Sequence, residues 1–102
     1  MTVLWVLLGC GVGENHFWKE QADIWCDNKK KCDGQGFDDD FDGKGDCKDW
    51  WLKENDAVRT SYEDCEYDAG AAGDCMHGLR KQDCDEWSNE VPDGCNEVYD
   101  CL

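Results

Sequence analysis

Nine cysteines stand at positions 10, 26, 32, 47, 65, 75, 84, 95 and 101 of a 102-residue chain, and sulfur is its most abundant reactive element. Thiols can cross-link, hold a metal or exchange electrons, and spacing separates these uses. No C-x-x-C occurs, so the closely paired thiols of a catalytic disulfide or a zinc ribbon are missing. His16 and His77 fall at no ligand spacing with any cysteine. The remaining use is the structural disulfide, which persists outside the reducing cytosol and supplements cores too small to stand alone. Setting Cys10 aside leaves Cys26, Cys32, Cys47, Cys65, Cys75, Cys84, Cys95 and Cys101, an even set able to close every bridge.

Cys10 is set aside because of what precedes it. Val3 to Leu8 is a continuous apolar run ending in Leu7-Leu8-Gly9-Cys10, and the polar, flexible Gly11-Val12-Gly13-Glu14-Asn15 follows. This resembles a bacterial lipobox. The resemblance implies cleavage between Gly9 and Cys10, a diacylglyceryl group on the Cys10 thiol and acylation of the new amino terminus. It divides the chain into a signal peptide at 1–9, a lipidated cysteine and tether at 10–15, and one disulfide-rich helical domain at 16–102. Several acyl chains on one residue would hold a membrane firmly, at about 0.8 kcal/mol per buried methylene. Gly at position 11 implies sorting to the outer membrane. Met1-Thr2 lacks the basic opening of a secretory signal, which puts the expected start upstream. The competing reading makes residues 3–8 an ordinary buried strand and the protein secreted or periplasmic.

Carboxylates are the second concentrated chemistry. Asp38-Asp39-Asp40-Phe41-Asp42-Gly43-Lys44-Gly45-Asp46 places acids at alternate positions before a glycine. The pattern resembles the calcium loop of EF-hand modules. That resemblance implies side-chain ligation by Asp38, Asp40 and Asp42, a carbonyl from Lys44, and Asp46 binding directly or through water. Asp49 stands at the twelfth position, where the pattern has Glu, and Gly45 at the eighth, where it has an apolar residue. The competing reading is a solvated acidic loop whose Asp46 caps the following helix.

These groups must be positioned by helices. From Asn15, a candidate cap, Phe17, Trp18, Ile24 and Trp25 recur at helical spacing up to Lys29-Lys30-Lys31, and Gly34 and Gly36 are expected to stop the helix after Cys32. A second helix from about Asp46 puts Cys47, Trp50, Trp51 and Val58 on one stripe. Asp68 caps a third, in which Ala72, Cys75, Met76 and Leu79 form the cleanest amphipathic pattern. A loop through Trp87 to Glu90 is expected next. Pro92 then opens a short closing helix with Cys95, Val98, Tyr99 and Leu102 inward. Only six Val, Ile or Thr follow Cys10, unclustered, so strand signals are weak. The predicted class is all-α, a small disulfide-stapled bundle of three to four short helices.

On such a scaffold Cys26 and Cys32 lie about 240° apart around one helix and must reach different partners. Cys75 and Cys84 also face opposite ways, and a Cys84–Cys95 bridge across the intervening loop is expected. Each bridge removes about 3 kcal/mol of unfolded-chain entropy, so reduction should unfold the domain.

Composition limits the function. Ten basic against twenty-five acidic residues give a charge of −15, which repels nucleic acid. No G-x-S-x-G occurs, neither histidine neighbours a reactive Ser or free Cys, and a paired-carboxylate mechanism needs a walled cleft. The lipobox, the Trp-bearing acidic domain and phrases such as Phe17-Trp18, Asp68-Ala69-Gly70-Ala71-Ala72 and Pro92 to Cys101 are similar to small cysteine-rich lipoproteins of Gram-negative bacteria. That resemblance lends no activity. The expected role is a non-catalytic, lipid-anchored structural or binding module of the cell envelope, joined to the membrane through Cys10. Residues 83–102 hold seven acids and no Lys or Arg, which suits a basic envelope protein as partner. Weak calcium binding in loop 38–49 and glycan binding through exposed Trp50, Trp51 or Trp87 are the alternatives.

Overall fold

The computed structural model describes residues 13–101. Among the described residues there are six helices: α1 (Glu14–Cys32), α2 (Gly34–Asp40), α3 (Lys44–Glu54), α4 (Asp56–Ser61), α5 (Ala69–Lys81) and α6 (Cys84–Asn89). A 3-10 turn at Cys95–Glu97 and a two-residue ladder of β1 (Glu66–Tyr67) with β2 (Tyr99–Asp100) complete it. The all-α class expected from the sequence holds.

α1 is the central strut. It buries Phe17, Trp18, Ala22, Ile24 and Cys26, while Lys29, Lys30 and Lys31 complement the carbonyl end of its dipole. Gly13, not Asn15, occupies the N-cap, and no side chain caps there. α1 stops after Cys32 as expected, and Gly34 and Gly36 then lie within a further helix. Asp33 ends α1 and starts α2, accepting a hydrogen bond from the Gly36 amide at 3.2 Å. A Cβ at Gly36 would lie 2.2 Å from Asp33 Oδ2, so glycine here makes room for a cap.

α3 begins at Lys44, and Asp46 in its first turn accepts from the Asp42 amide at 3.2 Å. The helix ends at Asn55, whose Nδ2 donates to the Trp51 carbonyl at 2.8 Å, an interaction that competes with helix continuation. Val58 therefore sits on the separate α4, exposed, rather than on a core stripe. Trp51 is buried and Trp50 is 42% exposed, which splits the expected pair.

α5 follows the sequence reading. Asp68 caps it, accepting from the Ala71 amide at 2.9 Å, and Ala72, Cys75 and Met76 are buried. Two expectations beyond it are overturned. The segment expected as a loop from Trp87 is largely α6, started by a capping box in which Asp83 and Glu86 satisfy each other's amides. The expected closing helix is only a 3-10 turn, because Gly94 adopts φ +91° and Tyr99 then pairs with Tyr67 in the ladder. Leu102 lies outside the described residues.

The core has two parts. Phe17, Trp18, Ala22, Ile24, Trp51, Ala72, Cys75, Met76 and Val98 form the larger, and Cys26, Phe37, Phe41 and Cys47 the smaller, with Trp25 packed against both. Cross-links tie them. Cys26–Cys47 joins α1 to α3, Cys32–Cys84 joins the end of α1 to the start of α6, Cys75–Cys95 joins α5 to the 3-10 turn, and Cys65–Cys101 closes the ladder. Cys26 and Cys32 do reach different neighbours. The expected Cys84–Cys95 bridge is not formed, because the Gly94 turn packs on the α5 backbone and delivers Cys95 to Cys75, while α6 carries Cys84 to α1.

Candidate binding pocket

The residues singled out by the sequence are dispersed. Cys10 lies outside the described residues. Asp38 and Asp40 are exposed on α2, where two positions of a helix are about 200° apart, so they face opposite ways. Asp42 and Asp46 meet through a backbone bond, and Asp49 is exposed on α3. Lys44 turns instead to α1, with Nζ 2.8 Å from both Asp23 and Asp27. Among the described residues, no group of three or more His, Cys, Asp or Glu is gathered so as to hold a metal ion. Exposed His16 lies 3.6 Å from Glu20, and His77 is exposed on α5.

The Lys44 hydrogen bond holds the Asp23 carboxyl below its ordinary pKa, partly opposed by burial; Asp23 in turn raises Lys44. These pairs fasten α3 to α1 beside the Cys26–Cys47 bridge. At the far end of α1, Trp18 Nε1 donates to the Tyr99 hydroxyl at 2.8 Å, and that hydroxyl donates to Glu14 at 2.7 Å. Tyr99 stacks on Tyr62 at 4.3 Å, 4° from parallel. Burial, reinforced by Glu14, pushes the Tyr99 phenol up to about 12, and burial does the same to Tyr67.

Beside the Trp18–Tyr99 fastening lies an open cavity of about 480 Å³. That volume falls within the range of small-molecule sites. Its walls are largely aromatic, including Trp18, Trp25, Trp51, Tyr62, Trp87 and Tyr99. Cys75 and Cys95, bonded to each other, form part of the wall and fix the 90–99 segment against α5. Val58 and Val91, 45% and 66% exposed, stand at the rim. Two of the three exposed large hydrophobic residues among those described are thus gathered at one opening.

Polar groups enter the wall from Gln21, Asn55, Gln82, Ser88 and Glu90, beside Tyr62 and Tyr99. Asn55, Gln82 and Glu90, the C-caps of α3, α5 and α6, all line the cavity. Asn55 also joins α3 directly to α4, its amide donating to the Trp51 carbonyl and its own carbonyl accepting from the Arg59 amide. Gln82 is 7% exposed; its Nε2 donates to the Glu90 carbonyl at 3.0 Å, and its Oε1 has no hydrogen-bond partner among the described residues. Among the described residues, no Lys, Arg or His lines the cavity.

Of the tryptophans proposed from the sequence as exposed, Trp51 and Trp87 line this cavity, whereas Trp50 packs on Trp25 and Phe41 at 5.5 and 5.3 Å. The sequence reading missed the cavity itself, since its walls come from segments far apart in the chain. Compared with protein-family models, with curated proteins and with solved structures, the chain matches none. Among the described residues, no helix is long and apolar enough to cross a membrane.

Proposed function

We propose that this chain is a non-catalytic binding module of the cell envelope, anchored by a lipid on Cys10 and using the aromatic cavity as its ligand site. The observation that carries the reading is the cavity, whose apolar rim is left in water and whose wall is pinned by the Cys75–Cys95 cross-link. A small domain gains stability by burying such surface, so its exposure points to an occupant. Four disulfides support an oxidising compartment, and the lipobox-like Leu7-Leu8-Gly9-Cys10 supports anchoring there.

A neutral apolar fluorophore, N-phenyl-1-naphthylamine, tests the site. The expected result is saturable uptake of one molecule per chain, with quenching of Trp emission and loss of binding on reduction. Absence of saturable uptake by the oxidised protein, of this probe and of charged aromatic probes of similar size alike, would overturn the reading. For the anchor, intact mass spectrometry of protein recovered from its own host should show residues 1–9 gone and acyl mass on Cys10; an unmodified Cys10 would remove the anchor.

A further inference from the structure

We infer that the ligand of the aromatic cavity is an organic cation, a protonated amine on an apolar or aromatic body; this rests on the cavity being a binding site and specifies what it binds. The C-terminus of a helix carries a partial negative charge from its unsatisfied carbonyls, and cations are favoured beside it. Asn55, Gln82 and Glu90 are the C-caps of three helices, and all three line one cavity. The basic side chains in the last turns of α3 and α5 do not cancel this field inside. Lys53, Arg80 and Lys81 are absent from the lining, and Arg80 is turned outward to Glu20.

Two further features point the same way. The aromatic walls present ring faces, whose negative quadrupole attracts ammonium groups while accommodating an apolar body. The one charged side chain in the lining is the carboxylate of Glu90. An anionic ligand would meet the Glu90 carboxylate and, among the described residues, no compensating cation. A neutral ligand would leave the field of the helix ends unused. The chain's charge of −15 further concentrates cations near its surface at low salt.

Calorimetric titration of the full chain with three ligands of nearly equal shape separates these cases: 2-(1-naphthyl)ethylamine, protonated at pH 7, the neutral 2-(1-naphthyl)ethanol and the anionic 1-naphthylacetate. The amine should bind about tenfold more tightly than the alcohol, from several modest dipole and ring contributions, and the acetate more weakly than both. Two exposed-site variants locate the effect without disturbing the core. Val58→Lys puts a cation on the rim and should weaken amine binding about tenfold more than it weakens alcohol binding. Glu90→Gln should narrow the gap between amine and alcohol. Equal affinities for the three ligands, or preference for the acetate, would overturn the inference while leaving the binding site intact. Failure of all three and of the neutral fluorophore would instead remove the site.

Discussion

Cys32, the last residue of α1, is bonded to Cys84, the first residue of α6, across 52 positions of sequence. The bridge links two helix ends otherwise joined by few contacts, and it fixes the side of the cavity that carries Trp87 and Glu90. By loop-closure entropy its removal as Cys32→Ala/Cys84→Ala should cost about 4 kcal/mol, against about 3 kcal/mol for the shorter loop of Cys75→Ala/Cys95→Ala. Urea unfolding of the two double variants measures both. A larger loss from the shorter loop would show that native-state packing, not loop length, sets the contribution.

Gly78 faces Pro92 so closely that an added Cβ would lie 2.6 Å from the proline Cβ. Gly78→Ala should therefore destabilise by about 1–3 kcal/mol through overpacking and shift the cavity wall at Val91 and Pro92. Gly45, in the first turn of α3 with nothing within 4 Å, is the control. Gly45→Ala should stabilise by up to about 1 kcal/mol. Thermal melts of the pair test the contrast.

The stability of the fold should fall at both ends of the pH scale. Asp23 is held below 3.8 by Lys44, so its contribution is present above that value and lost as pH drops through the lowered folded value. Tyr67 and Tyr99 are raised from 10.0 to about 12, so their neutral forms stabilise fully below pH 10 and cease to do so as pH rises towards 12. Lys44, raised above 10.5, acts in the same alkaline direction. Melts across pH should show Lys44→Met flattening the acid limb and Tyr99→Phe reducing the alkaline one. Unchanged limbs would contradict these linkages.

Calcium offers a check on the acidic segment. Asp38 and Asp40 face opposite ways on α2, and Lys44 is engaged with Asp23 and Asp27. Calcium and sodium at matched ionic strength should therefore raise the melting temperature equally, by screening the net negative charge. A specific rise with calcium would show that residues 38–49 rearrange around the ion.

What the sequence made legible follows from local physics. α5 was readable because Asp68 and the spacing of Ala72, Cys75, Met76 and Leu79 act within the helix itself. The need for Cys26 and Cys32 to part company followed from helical geometry. α6 was missed although Asp83-x-x-Glu86 is a capping-box pattern, since six residues give no periodicity to confirm it. The Tyr67–Tyr99 pairing had no local signal, because a two-residue ladder is set by the Cys65–Cys101 bridge and the Gly94 turn. The cavity depends on where three helices end relative to one another, and that relation exists only after packing.

The cross-linked cage underlies every part of this account, and peptide mapping of the unreduced protein tests it directly. The expected linked pairs are Cys26–Cys47, Cys32–Cys84, Cys65–Cys101 and Cys75–Cys95. Free thiols at these positions, or a Cys84–Cys95 peptide, would contradict it.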